Sequence, residues 1–252
     1  AGGGFQNFPD DYGVTNGLCK ESDLTVRMPY YLFAQKAGSE LNDYTKWVGT
    51  VEIGEGCDDH DDSKVEYHAQ GAGENLVMSA GDFENFDKPR PELSPAMEAQ
   101  LKSVLSLLVK NRWPFRIHAT YNESITRFLN VIEEIDKETP LNGLLWFFDH
   151  GETVSVENLK RIKALNGGLA IQHRMAYQGE SFIKRYGKTA AANTVPLKKI
   201  LEMGIKVGMR TDGTRVASYN PWVGLYWLTT GKTLGGTKYM LDENIQDRTA
   251  AL

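Results

Sequence analysis

The chain holds 252 residues, 41% hydrophobic and 24% charged, an ordinary globular composition that excludes collagen-like, low-complexity and disordered classes. Lys and Arg total 28 against 33 Asp and Glu, a net charge of -5. That balance lacks the footprint of a nucleic-acid binder, and no polybasic cluster points to an anionic membrane. No run of about 18 apolar residues predicts a transmembrane span. The two cysteines, Cys19 and Cys57, form no ligand-type cluster, which suits a reducing compartment and predicts a cytoplasmic protein. The opening Ala1-Gly2-Gly3-Gly4-Phe5, without an initiator Met or a signal-peptide pattern, reads as the cut front of a longer chain.

In the first 90 residues the pattern is irregular. Leu24 to Phe33 reads as one strand and Val65 to Ala69 as another, with an acidic loop from Glu55 to Asp62 between them. Gly71 to Arg90 reads as a long Gly- and Asp-rich loop near a functional face, with Asp82, Glu84 and Asp87 solvated. Ser94-Pro95 then opens a helix whose apolar face is Met97, Leu101, Val104, Leu105 and Leu108. Trp113-Pro114 stops it. Phe115 to Ala119 is a buried strand, and Asn122 caps a helix striped by Ile125, Phe128, Leu129, Ile132 and Ile135. Leu144 to Phe148 is the next apolar run, closed by Asp149-His150. Ser155 starts a helix bearing Val156, Leu159, Ile162 and Leu165, ended by Gly167. Leu169 to Ile171 is a short strand that finishes at Gln172-His173. A helix from about Pro196 stops at Gly204, and the strand Ile205 to Met209 leads into Arg210-Thr211-Asp212. Asn220-Pro221 opens a further helix through Trp222, Leu225 and Leu228, and the chain stops in a helical pattern.

Four consecutive strand-to-helix units predict an α/β fold with a parallel sheet. The strand-end residues His118, His150, His173 and Asp212 lie roughly thirty residues apart, and eight such units need about 250 residues, the size of a (β/α)8 TIM barrel. An open doubly wound sheet is the rival, but no Gly-rich dinucleotide loop follows any of these strands. Six strands can be placed, so the barrel reads as incomplete.

In parallel barrels the reacting groups sit where strands end. Imidazoles and a carboxylate at one mouth suit Zn²⁺ or a similar ion, which acidifies a bound water, and a carboxylate beside it can take the proton. A hydrogen-bonded structural histidine is the competing account of each position taken alone. Arg174, Arg210 and Arg215 flank the strand ends, where a guanidinium either grips a substrate carboxylate or forms ion pairs. Trp222, Tyr226 and Trp227 read as packing, and Asn122-Glu123-Ser124 as a helix cap before a glycosylation site.

The segments Trp113-Pro114-Phe115-Arg116-Ile117-His118-Ala119-Thr120, Phe148-Asp149-His150-Gly151-Glu152 and Thr211-Asp212-Gly213-Thr214 resemble the last strands of the amidohydrolase superfamily. The continuation Arg215-Val216-Ala217-Ser218-Tyr219-Asn220-Pro221-Trp222 is similar to the branch of N-substituted formamide deformylase and exoenzyme regulatory proteins. The resemblance runs through nearly the whole chain. It implies a metal-dependent hydrolase with one or two divalent ions, usually zinc. His118 then matches the fifth-strand ligand and His150 the sixth-strand ligand. Asp212 matches the eighth-strand carboxylate, ligand and general base together, and His173 falls where the family orients substrate. For the fourth-strand bridging ligand, Glu66 is the first candidate and Glu74 the second. The family's first-strand His-x-His pair is not here, since His60 and His68 are wrongly placed, and it is expected before Ala1. The resemblance thus implies a partial barrel over residues 1–252, about strands three to eight, without the first strand or the flanking β-sandwich segments.

The expected function is hydrolysis of a C–N bond, an amide or a relative, in a small-molecule substrate, with Asp212 as general base. This piece alone is expected to be inactive. A non-catalytic regulatory barrel is one alternative. A glycosidase using Glu152 and Asp212 is the other, though it leaves His118 and His150 idle. Whether the chain forms a homo-oligomer is not legible.

Overall fold

The computed structural model describes residues 8–34, 36–54, 67–192, 194–213 and 216–252. Among these the chain runs α1 (Gly13–Lys20), β1 (Tyr30–Leu32), α2 (Glu40–Val48), β2 (Ala69–Ala72), α3 (Met97–Lys110), β3 (Phe115–Ala119), α4 (Asn122–Glu138), β4 (Trp146–His150), α5 (Val156–Ala164), β5 (Gly168–Gln172), α6 (Met175–Ala192), α7 (Leu197–Glu202), β6 (Lys206–Arg210), α8 (Pro221–Thr230) and α9 (Arg248–Ala251). Strands alternate with helices in an α/β fold, and the pairings within each unit are parallel and follow chain order. Two compact units interleave along the sequence. The first takes Ala1–Gly81, Leu93–His118 and Asn130–Trp146; the second takes Asp82–Glu92, Ala119–Leu129 and Phe147–Leu252.

In the first unit β2 lies between β1 and β3. Tyr30 pairs with Ala69 and Leu32 with Ala72, a bulge falls between Tyr30 and Tyr31, and Ala72 pairs with Phe115. The approach of β2 to β3 demands a residue without a side chain, because a Cβ on Gly71 would stand 2.1 Å from the Pro114 carbonyl oxygen. The α3 face foreseen from its spacing, Met97, Leu101, Val104, Leu105 and Leu108, is buried. Ser94 works one step upstream of the helix, its hydroxyl accepting from the Ala96 amide.

In the second unit β5 lies between β4 and β6, with Phe147 opposite Gly168 and a continuous register from Gly168–Lys206 to Gln172–Arg210. Ser155 caps α5 by accepting from the Asn158 amide, and Asn220 caps α8 by accepting from Trp222. The C-terminal end of α8 closes at Gly231 with φ +64°, the left-handed conformation that glycine adopts without a steric cost. In α4 the whole predicted stripe is buried.

Several expectations fail in the front half. Only Tyr30–Leu32 of the predicted strand Leu24 to Phe33 joins the sheet, because Leu24 instead packs with Cys19 and Tyr67 in a small apolar cluster. The second strand is Ala69–Ala72, so Gly71 and Ala72 are ladder residues and not the start of a loop; residues 65 and 66 lie outside the described set. Helices α1, α2 and α6 were not anticipated. Cys19 is buried and disulfide-bonded, which does not accord with reduced thiols. No described helix is long and apolar enough to cross a membrane.

Two substitutions separate packing from capping. Phe128→Ala should cost about 3–5 kcal/mol by opening a cavity in the α4 stripe, whereas Ser155→Ala should cost about 1 kcal/mol. Urea unfolding of both variants against the parent protein measures the difference.

Candidate active site

Within the first unit the chemistry gathers where β2 ends. The Gly73 amide donates to the Leu32 carbonyl at 2.8 Å, and the His118 amide on β3 donates to the Glu74 carbonyl at 2.9 Å. This brings the Glu74 carboxylate 3.5 Å from His118 Nδ1 and 3.5 Å from Arg116 Nη2. All three side chains are largely buried. The turn depends on Gly73, at φ +123°, where a Cβ would lie 2.1 Å from the Arg116 carbonyl oxygen. Arg116 also lies 4.9 Å over the Tyr31 ring, so its charge is held from a second side. A carboxylate and an imidazole in this relation are metal-ligand types for zinc and similar ions.

Within the second unit the centre is Arg174, whose side chain is 1% exposed. Its Nη1 lies 2.6 Å from Glu84 Oε2 and 3.5 Å from Glu152 Oε1, and its Nη2 lies 3.6 Å from Asp212 Oδ2. A guanidinium taken out of water needs such partners, since burial of an unpaired charge is prohibitively costly. Arg210, on β6, repeats the arrangement beside it: Nη1 lies 2.6 Å from Asp149 Oδ1 and Nη2 lies 3.0 Å from Asp212 Oδ1. Asp212 is thus held by one arginine on each oxygen.

His150 closes β4 with φ +79°, and Asp212 follows β6 with φ +52°. Both sit in the left-handed region, a conformation that costs a non-glycine residue of order 1–3 kcal/mol. Its effect is to turn the chain sharply at the strand ends. His150 Nδ1 lies 2.8 Å from the Gln172 amide, 3.2 Å from Arg174 Nη2 and 3.9 Å from Glu152 Oε1. The Gln172 orientation that suits its neighbours places the amide nitrogen on His150 Nδ1 and the oxygen on Arg174 Nε and Nη2, at 2.7 and 2.9 Å. His173, fully buried one residue on, has its imidazole pushed below the ordinary histidine value of 6.5 by desolvation, with backbone groups of Ser218 and Arg210 opposing the shift.

The predicted residues are therefore placed as follows. His118 and Glu74 meet in the first unit, and His150, Arg174 and Asp212 meet in the second. His173 is buried on the same stretch as Arg174. Glu66, Arg215 and His60 lie outside the described residues. Arg174 does not reach solvent with an open fork, because three carboxylates of the protein already face it. Glu152 and Asp212, the glycosidase pair, both turn toward that guanidinium. The acidic loop is not solvated throughout: Asp82 is buried, its Oδ2 accepting from the Thr120 and Tyr121 amides at 2.9 and 3.0 Å, and Glu84 lies 2.6 Å from Arg174. No periodic pattern distinguishes these two acids from solvated ones. Gln172 and Asp149 were passed over too, although their positions at strand ends were a usable signal.

The sequence profile of a family described as "Amidohydrolase family" matches residues 1–252. Among curated proteins no sequence matches. Among solved structures the chain is similar to an uncharacterized metal-dependent hydrolase from Pyrococcus horikoshii OT3, with 15% identity and a TM-score of 0.66, over 93% of this chain and 46% of that one. A second, from Pyrococcus furiosus, gives 16% identity and a TM-score of 0.63 over 93% and 46%. Guanine deaminase from C. acetobutylicum gives 12% identity and a TM-score of 0.50 over 88% and 48%. At these identities the likeness is one of fold, and this chain spans about half the length of those proteins.

Arg174→Leu should destabilise the protein by about 3–5 kcal/mol, because it leaves buried carboxylates without their cation. Adding Glu84→Gln should restore part of that loss, and denaturant melts of the single and double variants show the coupling. His173 predicts a pH effect. Its folded value is depressed, so below 6.5 the unfolded chain takes up a proton that the folded chain refuses. Stability conferred at neutral pH is lost as pH falls from that value toward the folded one. His173→Gln should flatten this part of the stability–pH curve.

Proposed function

Because the chain belongs to the amidohydrolase family, we propose that it is the greater part of the barrel of a metal-dependent hydrolase that cleaves a C–N bond, an amide or a relative, with water. The observation that carries this reading is the buried Glu74–His118 pair at the ends of β2 and β3, 3.5 Å apart. Glu74 and His118 in the first unit, and His150 and Asp212 in the second, are the donors we assign to divalent cations, and carboxylates with imidazoles are donor sets suited to zinc. Once bound, a divalent ion supplies a Lewis acid and an acidified water.

The remaining chemistry falls to the chain's own side chains. Asp212 receives the proton of the attacking water and passes it to the leaving amine. Its Oδ1 is the more firmly held oxygen, at 3.0 Å from Arg210, against 3.6 Å between Oδ2 and Arg174, so Oδ2 is the atom that takes the proton. Arg174 braces Glu84, Glu152 and Asp212. Contact with the substrate is assigned to His173, kept neutral by burial, and to Arg215. Location follows Cys19: a bonded pair persists in an oxidising compartment and opens in the cytoplasm, so a cytoplasmic protein requires the reduced form.

The test is metal content followed by turnover. The protein should retain zinc through desalting, and Glu74→Gln or His118→Asn should weaken zinc binding by about tenfold or more. With zinc restored to the hydrolase of whose barrel this chain is the greater part, a panel of N-formyl and N-acyl amides should contain a substrate, Asp212→Asn should slow its hydrolysis by about 10²–10⁴, and this chain alone should turn none of them over. A protein that stays metal-free after reconstitution and hydrolyses none of the panel overturns the proposal.

A further inference from the structure

Between the turn after β4, helix α6 and the chain that follows it, the second unit leaves a cavity of about 360 Å³, room enough for a small organic molecule. Val154, Val156, Phe182, Ala190 and Pro196 give it apolar walls. Arg90 is the one ionisable side chain among the described residues that line it. The hydrolase reading gives none of these residues a task.

The setting of Arg90 favours an anion. Its guanidinium carbon lies 5.3 Å from the centre of the Tyr121 ring and 5.2 Å from that of Tyr186, so two aromatic faces hold the cation. The rings are themselves braced. Phe86 meets Tyr121 and Phe182 edge-on, at 6.2 and 5.1 Å, and Phe182 lies 4.7 Å from Tyr186. The fork is thereby set in place before a ligand arrives, which removes part of the ordering cost of binding. Its donors are not used up. Nη1 donates to Glu123 Oε1, and the other N–H groups have no acceptor among the described residues. Glu123 is 65% exposed, and an ion pair in water of this kind is worth little and yields readily. Arg174 differs, because three carboxylates of the protein already face its fork.

A guanidinium with donors to spare beside apolar walls selects by charge and by shape together. We propose that this cavity binds a small organic monocarboxylate, with its carboxylate on Arg90 and its apolar body along Val154, Phe182 and Pro196. A planar fork meets a carboxylate through two parallel N–H···O bonds. A doubly charged phosphate would carry more charge into an apolar enclosure than one guanidinium offsets. An ammonium would face Arg90 with no carboxylate among the described lining residues to receive it. The cavity asks nothing of a metal, so it stands or falls separately from the hydrolase reading.

Calorimetry and ¹H–¹⁵N spectra of the protein with sodium hexanoate test the site, with hexanamide and hexylammonium as the neutral and cationic controls. Hexanoate should bind about tenfold or more tightly than hexanamide, and hexylammonium should not bind. The spectral shifts should centre on Val154, Val156 and Ala190. Arg90→Gln should weaken hexanoate binding by about tenfold or more. Arg90→Lys keeps the charge but not the fork, and should recover only part of that loss. Glu123→Gln should tighten binding by about two- to fivefold, since its carboxylate no longer competes for the fork. Ala190→Leu should abolish binding by filling the cavity. Thermal melts confirm that each variant is folded. No saturable hexanoate binding, equal binding of hexanamide, or an unchanged affinity in folded Arg90→Gln overturns the proposal.

Discussion

A guanidinium sealed from water sets the terms for everything around it. Arg174 is 1% exposed and cannot shed its charge, so the second unit must bring anions to it. They come from separated stretches of chain: Glu84 from the segment before α3, Glu152 from the turn after β4, and Asp212 from beyond β6. None of these stretches is joined to the others by a regular ladder at that point. The ion pairs therefore fix loop positions that backbone hydrogen bonding leaves open, and they do so through groups whose separation is expensive.

Strand geometry supplies the other half of the order. Parallel pairing carries β4, β5 and β6 to their C-terminal ends in register, and the left-handed residues His150 and Asp212 then turn the chain at once. In the first unit glycine performs the equivalent service. Gly71 and Gly73 bring β2 and the following turn against β3 so closely that backbone atoms occupy the volume a Cβ would need. Local strain and close approach both mark the places where chemistry-bearing side chains emerge.

Much of the back half was legible. The strands that carry His118 and His150 and the helix stripes of α3 and α4 follow from hydrophobic period alone, because each element there is long enough to repeat its pattern and buries one face. The caps Ser155 and Asn220 were readable for the same local reason. What escaped has a common cause. β1 holds three residues, too few for alternation to show, and its predicted extension was drawn into a cluster with Cys19 and Tyr67. α6 is interrupted by Gly187 at φ +84°, which breaks the helical rhythm, although Met175, Ala176, Gly179 and Phe182 carry it before that point. At the site the sequence marks residue types and strand ends, but not their partners. That Arg174 faces the protein's own acids, and that Glu84 is one of them, depends on contacts between distant positions.

The segment from Asp82 to Glu92 contains neither helix nor strand, yet Asp82 closes two backbone amides and Glu84 closes a buried cation. Phe86 adds edge-on contacts with Tyr121 and Phe182. Loops of such proteins are the natural ground for directed evolution, because new sequences there alter what a pocket admits while the scaffold stands. In this protein that freedom is unevenly distributed. A library that randomises every position of the segment would be depleted of soluble members by changes at three side chains, whereas one that keeps Asp82, Glu84 and Phe86 constant retains the neighbouring positions as usable diversity.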